Sequence, residues 1–492
     1  MHKKTAPPSL LPIPRLLGME EEDRLPHARK IFALRNLPFG EVKALGFDMD
    51  YTLSHYRSPE IDELAFRHAA TMLVAERGYP KELLERHFDP NFAVRGLVLD
   101  GVRGNLLKLN QERKVVRAAH GTRQLEREQI EDAYGRRRLV TGVQGFRSID
   151  TLFEISESFL YALLVDYHDA GLLAGVGYFQ IFTDVRWAID SAHRTGDMKR
   201  QILANRDLFI LHDPDLPRAL DRWKRAGKKL FVLSNSEWTF TEGVLSFLLD
   251  GMDPARPSWK DYFDLVVVSA CKPTFFMEEP LPEPLEGHPA AFKGGNAHWL
   301  ETQLDALGEE ILYVGDHIYG DILRSKKNLS WRTMLLIPEM GEALQRLEEC
   351  AEDLFELMKA ETLRRRGLRR AALLRDQLKR NREHRHLLAQ RLSAEALRAL
   401  DQEARLLDDE GSAQALRILT QEELIMGLND RLDGAFNHQW GSIFRDGYDQ
   451  TRFADQIQQY ACAYTGRISN LYMVDPESTL YAPVPTLPHE RI

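Results

Sequence analysis

Residues 43–56 read KALGFDMDYTLSHY, and they raise the question of why two aspartates stand at the end of an apparent buried strand. A short apolar run ends at Asp48, and Asp50 follows after a single methionine. Side chains two residues apart on an extended strand point to the same side. The pattern therefore predicts two neighbouring carboxylates at the end of a buried strand, where their mutual repulsion needs compensation.

Five short apolar runs rich in β-branched or aromatic residues lie between Glu41 and Glu339. They read VKALGFD, KKLFVLSN, FDLVVVSA, EILYVGD and RTMLLIPE, and each has the length of a strand that is buried on both faces. Helical patterns precede the second and the fourth run, and Gly227 and Gly308 stand where those helices are expected to end. Strands that alternate with helices predict an α/β fold with a parallel sheet.

A much longer interval separates the first two runs than separates the others, which predicts an inserted domain. That interval contains helical stretches and a glycine-punctuated hairpin pattern, VRGLVLDGVRGNLLKLNQERKVVRAAHG. The expected parts are an N-terminal extension (1–35), a discontinuous core (36–56 and 207–340), an inserted cap (57–206) and a mostly helical C-terminal region (341–492) with a charged helical arm at about 360–405.

The composition of the chain limits which partners and which cellular compartment are expected. The net charge of −9 argues against general attraction to nucleic acid or to anionic membranes. Three cysteines without metal-ligand spacing favour a reducing compartment, and no apolar run is long enough to span a membrane. Prolines and acids interrupt the N-terminal segment, which makes it unlike a signal peptide. We expect a cytoplasmic protein without nucleic-acid or membrane partners, in which about the first 25 residues are loosely ordered.

Polar side chains follow the apolar runs at the ends where a parallel sheet binds ligands. In chain order they are Asp48 with Asp50, then Ser234, Asn235 and Ser236, then Lys272, and finally Asp316 with Asp321. Several acids in one crevice cannot all stay ionised without a counter-charge, and carboxylates without histidine or cysteine favour Mg²⁺. A phosphoryl group suits such a site, with Asp48 as the nucleophile and Asp50 as the general acid and base.

Each of these signals also has an ordinary interpretation. The aspartates suit an Asx turn, Ser234 a helix N-cap, Lys272 a surface position and the stretch GDHIYGD a capping loop. Their appearance in chain order, each at the end of a separate apolar run, favours one shared site.

The stretches DMDYT, LSNSEW, CKPTFF and ILYVGDHIYGDILRSKK resemble the four motifs of the haloacid dehalogenase superfamily. More narrowly, they are similar to the cytosolic purine 5'-nucleotidases that prefer IMP and GMP, and to their bacterial members. RGLVLDGVRGNLLKL, AAHG, TDVRWAID and WGSIFRDGYDQTRFADQIQQYA extend the similarity over most of the chain. The resemblance implies a Rossmann-like core with an inserted cap, and Mg²⁺-dependent hydrolysis of nucleoside 5'-monophosphates.

The resemblance also implies a role for each matching residue. It makes Asp48 the nucleophile and Asp50 the acid and base. The metal ligands it implies are Asp48, the backbone carbonyl of Asp50 and Asp316, with Asp321 in support. The phosphate-holding residues it implies are Ser234, Asn235, Ser236 and Lys272, and the nucleotide-binding cap residues are Arg186, Asp190, His193 and Lys199.

The cap residues have two possible roles, contact with the nucleotide base or a purely structural role. Arg186, Asp190 and His193 fall on one helical face, so Arg186 and Asp190 either contact a base or pair with each other. His193 is a structural histidine or a base contact. Thr122 and Arg194 stand where the eukaryotic enzymes have aromatic residues, which leaves base preference open.

The eukaryotic relatives are activated by ATP at a separate site. Lys327 and Tyr319 fit that site, but Gln459 replaces an expected arginine. An arginine clamps phosphate through two hydrogen bonds, so its loss predicts weak or absent activation.

Three other functions compete with the 5'-nucleotidase. They are a phosphatase for sugar phosphates or other phosphomonoesters, a nucleoside phosphotransferase, and a non-catalytic nucleotide-binding scaffold. The basic run RRRGLRRAALLRDQLKRNREHR suits a solvated helix face better than an RNA-binding helix, because it has no aromatic residue and acids flank it. A homo-oligomer is expected, with the leucine-bearing arm as a candidate interface.

Overall fold

The computed structural model describes residues 26–135, 138–141 and 144–483. The expectation of loose order in about the first 25 residues lies outside these ranges. The described chain divides into two compact units, one formed by residues up to 344 together with those from 450 onward, and the other by residues 345–449.

The first unit is built on a nine-stranded sheet in the order β1-β19-β16-β15-β3-β11-β12-β14-β13. The strands of the whole described chain, both units included, are β1 (Phe32–Ala33), β2 (Leu37–Pro38), β3 (Ala44–Phe47), β4 (His55–Tyr56), β5 (Val98–Asp100), β6 (Asn105–Leu109), β7 (Val115–His120), β8 (Arg123–Gln124), β9 (Phe146–Ser148), β10 (Ile210–Leu211), β11 (Lys229–Leu233), β12 (Leu265–Val268), β13 (Pro282–Pro284), β14 (Ala291–Gly294), β15 (Ile311–Gly315), β16 (Arg332–Leu336), β17 (Arg445–Asp446), β18 (Asp449–Gln450), β19 (Ala463–Thr465) and β20 (Thr479–Leu480).

The five predicted strands are β3, β11, β12, β15 and β16, and all of them pair in parallel. The expected α/β class with a parallel sheet is therefore confirmed. β14 and β19 extend the parallel sheet, and β13 and β1 close its two edges in antiparallel orientation. These four strands are short or proline-rich, so their local sequence carries little strand signal.

Alternate residues of the central strands pack into different clusters on the two faces of the sheet. On β11, Leu230 and Val232 join one cluster, whereas Phe231 and Leu233 join the other. Burial on both faces explains why these strands read as continuous apolar runs. A side chain on Gly46 would place its Cβ 2.1 Å from the Phe231 ring, so β3 needs a glycine at this close approach.

The helices flank the sheets and also form the second unit. They are α1 (Ser58–Arg77), α2 (Arg127–Tyr134), α3 (Ile155–Asp169), α4 (Tyr178–Thr195), α5 (Asp197–Ala204), α6 (Arg206–Phe209), α7 (Leu216–Arg225), α8 (Trp238–Leu249), α9 (Ala297–Leu304), α10 (Arg324–Leu329), α11 (Met340–Glu349), α12 (Ala351–Leu388), α13 (Ala394–Ala435) and α14 (Arg452–Tyr460). Gly227 follows α7 as predicted. In contrast, α9 ends at Leu304, the next residue, Asp305, adopts a left-handed conformation, and Gly308 opens a 3₁₀ turn.

The long interval between β3 and β11 contains a second sheet, ordered β8-β7-β6-β5-β9, together with helices α1 to α6. The predicted hairpin corresponds to β5, β6 and β7, which pair in antiparallel orientation. The chain leaves the core through β4 and returns through β10, and these two strands pair with each other. The boundaries proposed for the cap stay a prediction.

The second unit contains the helical hairpin of α12 and α13. Ion pairs connect its helices along their length, from Arg431 with Asp353 to Arg370 with Glu410. The helices extend well beyond the arm expected at 360–405, which confirms the mostly helical C-terminal region. Acids of α13 pair with several arginines of the basic run. Within the described residues, no helix is both long and apolar enough to cross a membrane.

Candidate active site

Three buried aspartates meet at the carboxyl edge of the large sheet. Asp48 follows β3 and Asp316 follows β15, while Asp321 belongs to the π-helical turn Ile318–Leu323. One carboxylate oxygen of each lies within 4.8 Å of the others. β3 and β15 pair in parallel and in register, with Phe47 opposite Val314, and this pairing brings the first two aspartates to the same edge.

The charge of this cluster is only partly compensated. Burial raises the pKa of Asp316 well above its usual range, and the neighbouring Asp321 and Asp48 raise it further. Burial also raises the pKa of Asp48 to about 7, against the opposing pull of Lys272. Asp316 Oδ2 is buried and has no hydrogen-bond partner among the described residues. Three hard oxygen donors with an uncompensated negative charge fit a divalent cation of the Mg²⁺ type.

Lys272 is the buried cation of the site. Its Nζ lies 2.8 Å from Asp48 Oδ1, 2.7 Å from Asp321 Oδ1 and 2.9 Å from the Tyr313 hydroxyl. Burial opposes its charge, but Asp321 and Asp48 outweigh that effect and raise the pKa of Lys272. An ammonium group has three donors, and these three acceptors use all of them. In this arrangement Lys272 therefore contacts two carboxylates and the Tyr313 hydroxyl, and its contact with a phosphate stays a prediction.

The Asp50 carboxylate is not one of the three clustered carboxylates and has partners of its own. Its Oδ1 accepts a hydrogen bond of 2.6 Å from the Tyr56 hydroxyl, and its Oδ2 accepts one of 2.8 Å from Ser236 Oγ. The side chain of Asp50 is thus separate from the candidate metal ligands, which leaves its backbone carbonyl for that role. Hydroxyl donors on both oxygens hold the carboxyl group in one orientation.

The other residues after β11 support this arrangement. Ser234 is fully buried, and its Oγ accepts a hydrogen bond of 3.0 Å from the backbone N–H of Ser236. Asn235 pairs with the backbone of Lys272, accepting at 2.6 Å and donating at 3.1 Å. Asn235 therefore fixes the loop that carries Lys272, although the sequence predicted a phosphate contact.

Two of the predicted cap residues pair with each other. Arg186 forms an ion pair of 2.7 Å with Asp190 and another of 3.1 Å with the buried Glu157. Of the two alternatives for these residues, the structure therefore shows the ion pair between Arg186 and Asp190. Asp190 nevertheless keeps 43% of its side chain exposed and retains free acceptor capacity.

The other two predicted cap residues, His193 and Lys199, contact Phe153 and Ser236, respectively. His193 packs edge-on against Phe153, and burial lowers its pKa to about 4, so the imidazole is neutral at pH 7. Lys199 pairs with Glu237 and lies 3.4 Å from Ser236 Oγ, which connects it to the group around Asp50.

Three residues of the site escaped prediction. The Tyr56 hydroxyl donates to Asp50, six residues earlier, and Tyr313, which lies within an apolar run, accepts from the distant Lys272. Arg95 is buried and hydrogen-bonds the backbone carbonyl of Asp316 at 3.2 Å, while it forms an ion pair of 2.6 Å with Glu339. Arg95 opens the stretch RGLVLDGVRGNLLKL, but nothing local in the sequence indicates its contact with a residue over two hundred positions later.

Comparisons with known proteins place the chain in a family and identify similar proteins. The family model for the 5' nucleotidase family matches residues 31–492. A 5'-nucleotidase domain-containing protein of Dictyostelium discoideum is 27% identical over 481 residues, which cover 94% of this chain and 74% of that protein. The solved structure of a predicted phosphoglycolate phosphatase from Haemophilus somnus is 14% identical, covers 60% of this chain and 85% of its own, and has a TM-score of 0.28.

Proposed function

This chain belongs to the 5' nucleotidase family of phosphoric monoester hydrolases, and we propose that it hydrolyses nucleoside 5'-monophosphates of the IMP and GMP type with Mg²⁺. The observation that supports this best is the buried group of Asp48, Lys272, Asp316 and Asp321, with the separately held Asp50 beside it. A cytoplasmic location stays a prediction.

The reaction proposed here has two displacements at phosphorus. Asp48 attacks the phosphorus atom while Asp50 gives a proton to the departing 5' oxygen, which leaves an aspartyl-phosphate and a free nucleoside. Asp50 then takes a proton from water as the water oxygen attacks phosphorus. The bond between phosphorus and the Asp48 oxygen breaks, inorganic phosphate leaves, and the cycle ends with Asp48 again a carboxylate and Asp50 again protonated.

Charge compensation comes from two sources in this proposal. Lys272 neutralises part of the negative charge of Asp48 and Asp321. Mg²⁺, held by Asp48, Asp316 and the backbone carbonyl of Asp50 with Asp321 in support, would supply positive charge to the phosphoryl oxygens. Arg95 keeps the backbone of Asp316 in place.

The preference for purines rests on the cap. Asp190 has a partly exposed side chain whose carboxylate is suited to the ring N–H groups of hypoxanthine and guanine. Arg186, which also pairs with Glu157 of α3, holds that side chain in place through its ion pair within α4. Thr122 Oγ1 donates to Asp166, so its hydroxyl supports the loop at the position where the eukaryotic enzymes stack an aromatic ring.

Phosphate release tests the proposed function directly. The panel contains IMP, GMP, AMP, CMP, UMP and several sugar phosphates, each with Mg²⁺ or EDTA, for the wild type and Asp48→Asn. Mg²⁺-dependent release from IMP and GMP that disappears in Asp48→Asn is the expected result. Release from sugar phosphates alone refutes the nucleotide preference, and activity that survives Asp48→Asn refutes the nucleophile.

We also propose that ATP activates this enzyme weakly or not at all. Gln459 donates a hydrogen bond of 2.7 Å to Asp455, and its neutral amide cannot clamp a phosphate as a guanidinium does. The rate of IMP hydrolysis is therefore expected to change less than about twofold with ATP, against the 5- to 150-fold range of typical allosteric coupling. A large activation of the wild type by ATP contradicts the proposal.

A further inference from the structure

Asp50 is held by hydroxyls from two separate parts of the chain. Ser236 follows β11 in the core, whereas Tyr56 lies on β4, one of the two strands that connect the core to the inserted region. Tyr56 pairs with Ile210 of β10, and the next residue, Arg57, donates its backbone N–H to Phe209 at 2.8 Å. The backbone that carries the Tyr56 ring is thus fixed at the connection itself.

The ring of Tyr56 is equally constrained. It is 6% exposed and lies edge-on to Tyr51, with 5.1 Å between the ring centres. Phe153, from the inserted region, lies 6.1 Å from Tyr56 and 4.5 Å from Tyr51. A hydroxyl at the end of a packed ring has little freedom, so its hydrogen bond to Asp50 Oδ1 sets the direction of that carboxyl group.

We propose that Tyr56 is a positioning residue that fixes the carboxyl group of Asp50 for proton transfer. The inference rests on the proposed function, in which Asp50 donates a proton in the first displacement and accepts one in the second. With Tyr56 on Oδ1 and Ser236 on Oδ2, the carboxyl group cannot rotate between the two steps. Without the Tyr56 hydroxyl, one oxygen loses its donor and the carboxyl group gains a rotational freedom that misaligns the proton.

Tyr51 provides a matched control. Its hydroxyl is buried beside the same aromatic rings and has no hydrogen-bond partner among the described residues. Tyr51→Phe and Tyr56→Phe therefore remove the same atom from neighbouring rings, and both keep the ring volume that packing requires. Only Tyr56→Phe removes a hydrogen bond to Asp50.

The experiment measures kcat and KM of both variants with Mg²⁺ on the best nucleotide of the substrate panel. We expect Tyr56→Phe to lower kcat by about 10- to 100-fold with KM changed less than about threefold, and Tyr51→Phe to change either constant less than about twofold, because general acid–base catalysis contributes about 10²- to 10⁴-fold. Equal losses in the two variants, or a rise of KM alone in Tyr56→Phe, would overturn the proposal.

Crystal structures of the two variants give a test that needs no activity. The Asp50 carboxyl group is expected to change orientation in Tyr56→Phe and to keep it in Tyr51→Phe. If the wild type releases no phosphate from any substrate, the proposed function fails, and the Asp50 orientation still decides whether Tyr56 fixes it. An unchanged Asp50 in Tyr56→Phe overturns the inference regardless of the kinetics.

Discussion

Lys272 Nζ lies 2.8 Å from Asp48 Oδ1, so the carboxylate proposed as the nucleophile has a buried counter-ion. The same ammonium group also neutralises Asp321. One lysine thus compensates two of the three clustered aspartates, and the charge of Asp316 is left for a cation.

Removal of that lysine charge should disable the site. In Lys272→Met, Asp48 and Asp321 lose their counter-ion, and burial then favours their protonated forms, which are poor nucleophiles and ligands. We expect kcat to fall by at least about 100-fold, in the range seen when a preorganised electrostatic contact is removed. Lys293→Met is the control, because Lys293 forms a half-exposed ion pair with Glu283 and its loss should change kcat less than about twofold. Comparable losses in both variants would contradict this role for Lys272.

Mg²⁺ should stabilise the fold through Asp316. A ligand that binds only the folded state at a hundred times its Kd contributes about 2.7 kcal/mol. Thermal unfolding with EDTA and with Mg²⁺ should therefore show a higher Tm with the metal in the wild type, and almost no difference in Asp316→Asn. The exposed residue Asp207 provides the control variant Asp207→Asn, which should keep the full shift. An unchanged shift in Asp316→Asn would remove Asp316 from the metal site.

Gly315→Ala should displace Asp321 from Lys272. The added Cβ would lie 2.4 Å from Asp321 Oδ2 and 2.5 Å from its Cγ, closer than carbon and oxygen tolerate. We expect kcat to fall by about 10-fold or more and the free energy of unfolding to fall by about 1–3 kcal/mol, as for other overpacked sites. Gly341→Ala is the matched control, because the added Cβ would meet no heavy atom within 4 Å beyond its chain neighbours and the backbone of its own helix. Wild-type kinetics in Gly315→Ala would show that the position of Asp321 is unimportant.

Asp62 should make stability depend on pH. It is buried on α1, and burial raises its pKa from 3.8 to about 7, against the hydrogen bond from Ser58. The folded state therefore binds this proton more tightly than the unfolded state does. The stabilisation is complete below about pH 3.8 and is lost as the pH rises towards 7.

The loss in that window is at most about 4 kcal/mol, since each pKa unit corresponds to about 1.4 kcal/mol. Urea unfolding of the wild type and Asp62→Asn at pH 5.5 and pH 8 measures it. Asp62→Asn should lose clearly less stability than the wild type between these two values. Parallel pH dependence in the two proteins would show that Asp62 does not contribute.

The distal part of the α12–α13 hairpin should carry the expected homo-oligomer contact. Leu373, Leu387 and Leu406 are 58%, 73% and 63% exposed there, an apolar surface that favours association. Replacement of residues 371–409 by a short linker leaves the Arg370–Glu410 ion pair at the new end. Analytical sedimentation should give a smaller particle for the shortened chain.

Leu387→Glu should act in the same direction as that deletion. Leu281→Glu changes a leucine of the other unit that is even more exposed, and it should leave the particle mass unchanged. A shortened chain that keeps the wild-type number of subunits would exclude the hairpin as the interface, and a monomeric wild type would refute the oligomer.

Local sequence patterns predicted the framework of the site. The five apolar runs are strands of one sheet, and parallel pairing in register brings the residues that follow β3, β11, β12 and β15 to one edge. This outcome needs only the hydrophobic pattern and the direction of the strands. For that reason Asp48, Lys272 and Asp316 were recognisable as neighbours from the sequence.

The hydrogen bonds around these residues could not be predicted in the same way. Sequence spacing left open whether Arg186 and Asp190 pair, and it gave no signal for Arg95 beneath Asp316. These contacts join residues that are far apart in the chain, or depend on which of several rotamers the packing allows.

The sequence by itself therefore determined the fold class, the helical C-terminal region and the polar residues at the sheet edge, because strand and helix periodicity are local properties. Only the tertiary structure decided that Lys272 gives its donors to Asp48, Asp321 and Tyr313, and that Tyr56 holds Asp50 from the connection to the inserted region. Hydrogen bonds act over about 3 Å. Their partners are therefore set by the packing of distant segments, which no local pattern encodes.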